Sequence, residues 1–206
     1  AIVLDGRLEL NLEFQINPGS DFPGLSINGG DLYTNDPEVT LNPVWPLGAT
    51  YMAFANDGGF QGSEKRDLKY HVDWRLRSSG PERLPKTVYV KYGAGGAWRP
   101  TLTDDIIIDE TAPVIGSVSE VGGSASSLFS RSVVPFARGK RVTLRVRASD
   151  RTSGVSKMQV GSRPSGKLKK IRFRSRVSVV APRGRAWVRV FDRAGNASRW
   201  KVVRLG

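Results

Sequence analysis

The sequence has no cysteine and only one histidine, His71. Without cysteine there is neither a disulfide framework nor a thiolate metal site, so the redox compartment cannot be inferred from bridges. One histidine without cysteine also cannot supply the usual ligand set of zinc. A zinc centre of the ordinary kind is therefore excluded.

Long apolar runs are also missing. No stretch of 18 apolar residues occurs, and the amino end has no charged segment followed by an apolar one. We therefore expect no membrane insertion, and a signal peptide is not present in this chain. Because residue 1 is Ala, we expect a processed protein or an excised piece, with neighbouring domains of a larger protein as its partners.

Acidic residues are scarce in the second half of the chain. Residues 1–110 carry 10 Lys and Arg against 16 Asp and Glu, whereas residues 111–206 carry 22 against 3, so the net charges are −6 and +19. A strongly basic segment attracts polyanions, whatever its fold. The charge distribution therefore favours an anionic partner for the second half.

Turn residues are abundant, and they separate short runs of alternating polarity. The chain contains 23 Gly and 12 Pro, and apolar residues alternate with arginine along residues 141–147. A period of two is typical of strands with one buried face. Six or seven such strands in each ~95 residues predict β-sandwiches.

Three motifs recur in the same order. The offsets between the copies are 103, 106 and 100 residues. The matched pairs are Val39–Leu41 with Val142–Leu144, Gly48–Met52 with Gly154–Met158, and Val88–Val90 with Val188–Val190. We predict an all-β fold of two tandem immunoglobulin-like β-sandwich domains, an acidic repeat over residues 21–110 and a strongly basic one over residues 111–206. Residues 1–20 are predicted to hold a strand of a preceding domain or the first strand of this one.

The motifs of the second copy resemble a known family, the bacterial Ig-like repeats found in tandem in secreted and surface proteins. They are Ala148–Asp150, Ser153–Met158, Val188–Asp192 and Ala194–Asn196. The resemblance implies an extracellular or cell-surface spacer or adhesion module rather than an enzyme. The first copy departs from the pattern, because Trp45-Pro46 replaces the Ala-Ser-Asp element and Tyr92 stands where Asp192 stands.

A catalytic site finds little support. His71 and Asp73 share one face of a strand, a spacing that could orient an imidazole. A polar outer strand face explains both residues, and no nucleophile sits at a recognisable elbow. We therefore predict no catalytic residues and no enzyme.

Calcium is the one cofactor for which the acids offer ligands. In a sandwich of this topology, the loops after the second strand and before the last strand lie at the same pole as the amino-terminal entry. Calcium binds several hard oxygen ligands. The candidates, at the junction of the repeats, are Asp109, Glu110, Asp150 and Asp192. The alternative is that these acids cap turns, with Arg151 and Arg193 as counter-ions.

Six arginines suggest a polyanion-binding face. Two strands that usually neighbour each other would present them on one sheet face, and guanidinium groups suit phosphate. They are Arg141, Arg145, Arg147, Arg172, Arg174 and Arg176. Teichoic acid or an acidic polysaccharide is the favoured partner, since no recognition helix or stacking motif for nucleic acid is readable. The alternative is a solvated arginine-rich surface.

A carbohydrate-binding platform is the remaining hypothesis. Tyr51 and Tyr89 are predicted to face outward on adjacent strands of the first repeat, with Trp98 in the following loop. Aromatic side chains of this kind can stack on sugar rings, although cross-strand pairing explains them equally well. Trp45 and Trp74 fall on inward rows and are predicted to be core.

Overall fold

The structure is a computed structural model, and it describes residues 2–4, 7–9, 22–77, 79–121, 140–164, 168–181 and 184–205. In those ranges there is no helix, and so none that is long and apolar enough to cross a membrane. The chain forms two compact units. The first consists of residues 1–30, 38–77 and 87–105, and the second of residues 31–37, 78–86 and 106–206.

The amino-terminal residues form a small hairpin. Strand β1 (Ile2–Leu4) pairs antiparallel with β2 (Arg7–Glu9), so that Ile2 lies opposite Glu9. Residues 10–21 lie outside the described part, and the strand expected there stays a prediction.

Eight strands follow between residues 24 and 108. They are β3 (Gly24–Ile27), β4 (Tyr33–Thr34), β5 (Glu38–Val44), β6 (Tyr51–Ala55), β7 (Val72–Arg75), β8 (Lys86–Ala94), β9 (Ala97–Trp98) and β10 (Leu102–Ile108). One sheet has the order β3-β5-β7 and the other the order β4-β10-β8-β6, with β9 paired to β8. Strand β4 runs parallel to the end of β10, with Ile107 opposite Tyr33 and Ile108 opposite Thr34, and these residues belong to the second unit.

Seven strands make up the rest of the second unit. They are β11 (Val114–Glu120), β12 (Lys140–Ser149), β13 (Val155–Gly161), β14 (Ile171–Arg172), β15 (Arg176–Ala181), β16 (Arg185–Asp192) and β17 (Lys201–Arg204). The sheets have the orders β11-β12-β15 and β14-β13-β16-β17. In the first sandwich β3, β5 and β7 form one sheet, and β6, β8 and β10 form most of the other. In the second sandwich β11, β12 and β15 correspond to the first set, and β13, β16 and β17 correspond to the second. This is the immunoglobulin-like arrangement. The predicted fold class is therefore confirmed.

Burial follows the alternation that the sequence shows. On β12 the side chains of Val142, Leu144 and Val146 are buried, whereas Arg141, Arg145 and Arg147 are exposed. The core of the second unit packs these residues against Met158 and the buried valines of β16. Strand β12 thus contributes one apolar row to the interior and leaves its arginines in water.

The matched motifs lie on corresponding strands of the two sandwiches. The Val-Thr-Leu motif is in β5 and β12, the second strand in each case. Met52 on β6 and Met158 on β13 are both fully buried in the third strand. The Val-x-Val motif is in β8 and β16. Similar residues therefore occupy similar core positions in the two sandwiches.

Candidate functional site

Three carboxylates from three separate segments meet in the second unit. Asp109 follows β10, Asp150 follows β12, and Asp192 ends β16. One carboxylate oxygen from each lies within 4.8 Å of the other two. Hereafter these three residues are the acidic triad. Glu110, the fourth predicted ligand, is exposed and lies outside this group.

Parallel pairing of β4 with β10 positions Asp109. The Asp109 backbone N–H donates to the Thr34 carbonyl at 2.8 Å, which continues the ladder one residue past β10. The carboxylate then accepts hydrogen bonds from the backbone N–H groups of Thr111 (3.1 Å) and Ser153 (3.0 Å). The second bond attaches the segment after β10 to the loop between β12 and β13.

Asp150 organises the turn from β12 into β13. Its Oδ1 accepts hydrogen bonds from the backbone N–H groups of Thr152 (3.1 Å) and Gly154 (2.7 Å). Gly154 has a φ of 80°, a conformation that favours glycine. The turn-capping role that the sequence allowed is therefore present, and it uses one of the two carboxylate oxygens.

Asp192 organises the turn from β16 toward β17. Its Oδ1 accepts hydrogen bonds from the backbone N–H groups of Gly195 (2.7 Å) and Asn196 (2.8 Å). The Asn196 side-chain amide donates to Asp192 Oδ2 at 2.9 Å and to the Asp109 carbonyl at 2.6 Å. Asn196 thus connects two members of the triad.

Two residues at this place were missed by sequence reasoning. Asn196 lies in the Ala-Gly-Asn motif, which was recognised but given no role. Glu82 accepts hydrogen bonds from the Thr111 hydroxyl at 2.9 and 3.0 Å and from the Thr152 hydroxyl at 3.5 Å. Nothing local in the sequence connects Glu82 with residues 111 and 152, because only the tertiary fold brings them together.

The triad is acidic in a strongly basic part of the chain. Asp109 and Asp192 are 0% and 2% exposed, and the described structure places no Lys or Arg nitrogen within 4.0 Å of any triad carboxylate. The expected counter-ions, Arg151 and Arg193, are exposed and form no such pair. Burial raises the pKa of the Asp192 carboxyl, hydrogen bonds from Asn196 and Gly195 lower it, and the charge of Asp109 raises it further.

The donor set of the triad consists of oxygen atoms. Carboxylate oxygens from three separate segments are ligands of the type that Ca²⁺ binds at 2.3–2.6 Å. A carboxylate has about four lone-pair sites, so the backbone hydrogen bonds leave capacity for an ion. The residues present therefore fit calcium and do not fit zinc or another metal that prefers nitrogen or sulfur.

The first unit has neutral side chains where the second has acids. The Tyr92 hydroxyl donates to the Gly24 carbonyl at 2.7 Å, and Tyr92 is only 1% exposed. Burial raises the pKa of Tyr92, and a backbone hydrogen bond with Val44 lowers it by less. Trp45 is buried, with its ring 4.9 Å from that of Tyr70. Among the described residues, the three-carboxylate ligand set is thus found in the second unit alone.

The six predicted arginines do not all share one sheet face. Arg172 lies on β14, which pairs with β13 so that Arg172 is opposite Lys157. Arg176 lies on β15, next to β12, directly opposite Arg145. The prediction of one six-arginine face is therefore wrong, because the chain crosses from one sheet to the other between Arg172 and Arg176.

Four of the six arginines line one cleft on the second unit. Its volume is ≈ 590 Å³. The lining residues are Arg145, Val146, Arg147, Arg174, Ser175 and Arg176. Hereafter this is the arginine cleft. A hydrogen bond from the Val146 N–H to the Ser175 carbonyl, 2.8 Å long, joins the strand to the segment that enters β15. Arg141 lies farther along β12, opposite Val180.

The aromatic side chains do not form the expected platform. Tyr51 and Trp98 meet edge to face, with ring centroids 4.8 Å apart and an interplanar angle of 85°. Lys65 Nζ lies 4.6 Å from the centre of the Tyr51 ring. Tyr89 pairs with Ala55 at the other end of β6. The structure thus brings two of the three residues together and leaves Tyr89 apart from them.

His71 is exposed and lies immediately before β7, which agrees with the interpretation as a polar outer residue. Its Nδ1 is 2.8 Å from the Asn42 side-chain amide. Asp73 is also exposed and lies opposite Thr40. A shallow cleft of ≈ 430 Å³ is lined by both residues. In the described part of the first unit, no hydrogen bond joins the histidine to the aspartate.

Comparisons with known proteins return structural likeness only. No protein-family model matches the sequence, and no curated protein matches it. The fibronectin(III)-like modules of Clostridium thermocellum CbhA are 12% identical, with a TM-score of 0.49 over 88% of this chain and 92% of that one. The chicken CNTN1 FN1–FN3 domains are 13% identical, with a TM-score of 0.49 over 89% and 66%. The human OSCAR ligand-binding domain is 15% identical, with a TM-score of 0.39 over 89% and 97%. At such identities and TM-scores the likeness says nothing about function, and the immunoglobulin-like assignment rests on the strand order.

Proposed function

We propose that this chain is a noncatalytic, extracellular module of a bacterial secreted or surface protein, and that its second sandwich binds one calcium ion at the acidic triad. The module would position neighbouring domains. Its motif set resembles bacterial Ig-like repeats, which supports this assignment.

The observation that carries the calcium proposal is the meeting of three carboxylates with no Lys or Arg nitrogen within 4.0 Å of them, among the residues that the structure describes. Residues 111–206 contain three acids among 22 Lys and Arg, and two of those acids lie in the triad. Backbone hydrogen bonds offset part of the cost of burying carboxylates, but burying them without an opposite charge remains costly. A divalent cation would offset the repulsion between Asp109 and Asp192 and would hold the segment after β10 against the turns around Asp150 and Asp192.

Asp150→Asn is the sharpest test. The hydrogen bonds from Thr152 and Gly154 both go to Oδ1, so the asparagine carbonyl can keep the turn while one charge and one ligand oxygen are removed. Asp73→Asn, an exposed change on β7, makes the same change of charge away from the triad and is the matched control.

The full chain, freed of metal with a chelator, would be titrated with Ca²⁺ and Mg²⁺ by calorimetry and heated in each. We expect one Ca²⁺ site in the wild type and in Asp73→Asn, and binding weaker by about tenfold or more in Asp150→Asn, since ligand charge sets calcium affinity. At ~100 times Kd the ion adds about 2.7 kcal/mol to the free energy of unfolding. If ~10 mM Ca²⁺, ample for an extracellular site, gave neither heat nor a shift in Tm, or if Asp150→Asn responded like the wild type, the calcium proposal would be rejected.

A further inference from the structure

We propose that the arginine cleft binds successive phosphates of a polyol-phosphate polymer, the chemical class to which teichoic acids belong. The inference goes beyond the proposed function, because the cleft contains no residue of the acidic triad and needs no calcium.

The cleft concentrates positive charge on adjacent strands. Arg145 and Arg176 lie directly opposite each other on β12 and β15, and both are exposed. Arg147 lies two residues along β12 on the same face, about 7 Å from Arg145 at the usual strand rise. Arg174 approaches from the segment before β15. Four guanidinium groups therefore surround one opening.

These charges have no acidic partners in the described structure. The ion pairs found among the described residues join Arg75 to Glu38 and Arg77 to Asp57, all in the first unit. Like charges placed directly opposite across a strand pair are destabilising. An anion in the cleft would relieve this repulsion, and each guanidinium could form two parallel hydrogen bonds with a phosphate.

The lining indicates which phosphate polymer fits. Apart from the four arginines, the described residues that line it are Val146 and Ser175, and none of these described residues carries an aromatic ring. Proteins that bind single-stranded nucleic acid stack bases on aromatic side chains, and the described lining offers no such surface. A polymer with phosphates but no bases matches these groups better, and two neighbouring arginines on β12 leave room for two successive phosphates.

The test compares two variants of equal charge. The cleft variant carries Gln in place of Arg145, Arg147, Arg174 and Arg176. The control variant carries Gln at four exposed arginines of the same unit, Arg163, Arg185, Arg199 and Arg204. Two of these, Arg185 and Arg204, also lie opposite each other on paired strands. Binding of the full chain to poly(glycerol phosphate) and to single-stranded DNA with as many phosphates would be measured across a salt series.

Four phosphate contacts predict that the wild-type binding constant for poly(glycerol phosphate) falls roughly 50-fold between about 50 and about 200 mM salt. We expect the cleft variant to lose most of the binding and of this salt dependence, and the control variant to keep most of both. Arg174→Gln alone, at a position outside the strands, should weaken binding several-fold and serves as the second test if the fourfold variant does not fold.

Three results would overturn the proposal. Equal weakening in the cleft and control variants would mean attraction by net charge alone. Tighter, cleft-dependent binding of the DNA would assign the site to nucleic acid instead. Absence of wild-type binding at about 150 mM salt, where the Debye length is about 8 Å, would leave no site of useful affinity. Calcium titration of the cleft variant should be unchanged, which separates this proposal from the proposed function.

Discussion

Replacing Tyr92 by Phe tests how the first unit is stabilised at the position where the second unit has Asp192. The Tyr92 hydroxyl donates to the Gly24 carbonyl at 2.7 Å from a side chain that is 1% exposed. Removing the hydroxyl takes away this hydrogen bond and the one with the Val44 backbone, and it leaves the Gly24 carbonyl without that donor. At neutral pH the free energy of unfolding should fall by about 1–3 kcal/mol.

Comparing the free energies of unfolding of the wild type and Tyr92→Phe at different pH values gives a second expected difference. Burial raises the pKa of Tyr92 in the folded protein above its ordinary value of about 10. Its contribution is therefore fully present below pH ~10 and is lost as the pH rises toward the folded pKa, because the unfolded chain releases the proton first. Between about pH 9 and pH 11 the wild type should lose about 1.4 kcal/mol through this residue, and Tyr92→Phe should not.

The assay is urea unfolding of both proteins at several values of pH from 7 to about 11. Both proteins carry the same ionisable groups apart from residue 92, so the difference between the two curves isolates Tyr92. A difference that stays constant with pH would refute the assignment of the raised pKa to burial of this phenol. Equal stability at pH 7 would refute the importance of the hydrogen bond.

Three further substitutions have expected effects on unfolding by urea or heat. Leu144→Ala, at a fully buried position of β12, should lower the free energy of unfolding by about 2–5 kcal/mol, and a loss below ~1 kcal/mol would contradict its place in the core. Gly93→Ala would place a Cβ 2.7 Å from the Ala97 carbonyl oxygen, so a loss of roughly 1–3 kcal/mol is expected, and unchanged stability would show that the β8–β9 turn is looser than described. Asn196→Ala removes the amide that donates to the Asp109 carbonyl, so the free energy of unfolding, measured with a chelator present, should fall by about 1–3 kcal/mol. Unchanged stability would mean that this amide points into solvent.

Much of the fold could be predicted because its determinants are local. Alternation of valine and leucine with arginine along residues 141–147 predicts a half-buried strand, and β12 has that pattern of burial. Recurring motifs predicted two similar sandwiches, and Met52 and Met158 occupy the corresponding strand in each. The meeting of Asp109, Asp150 and Asp192 followed from one topological rule, that certain loops of an immunoglobulin-like sandwich share a pole.

Strand partners are decided by contacts between residues far apart in the chain, and alternation carries no information about them. The run from Ile171 to Arg176 reads as one strand, yet the structure divides it between two sheets, so Arg172 pairs next to β13 and Arg176 next to β12. Only the tertiary structure therefore decided which arginines share a cleft.

The same reason explains the polar residues around the triad. Asn196 reaches the Asp109 carbonyl across 87 positions of sequence, and Glu82 reaches Thr152 across 70. By itself the sequence determined most of the strands, the two sandwiches and a set of four candidate acids, because side-chain polarity and turn chemistry act within a few residues. Which of these acids are buried, what they bond and where the positive charges converge were decided by the packing of the sheets.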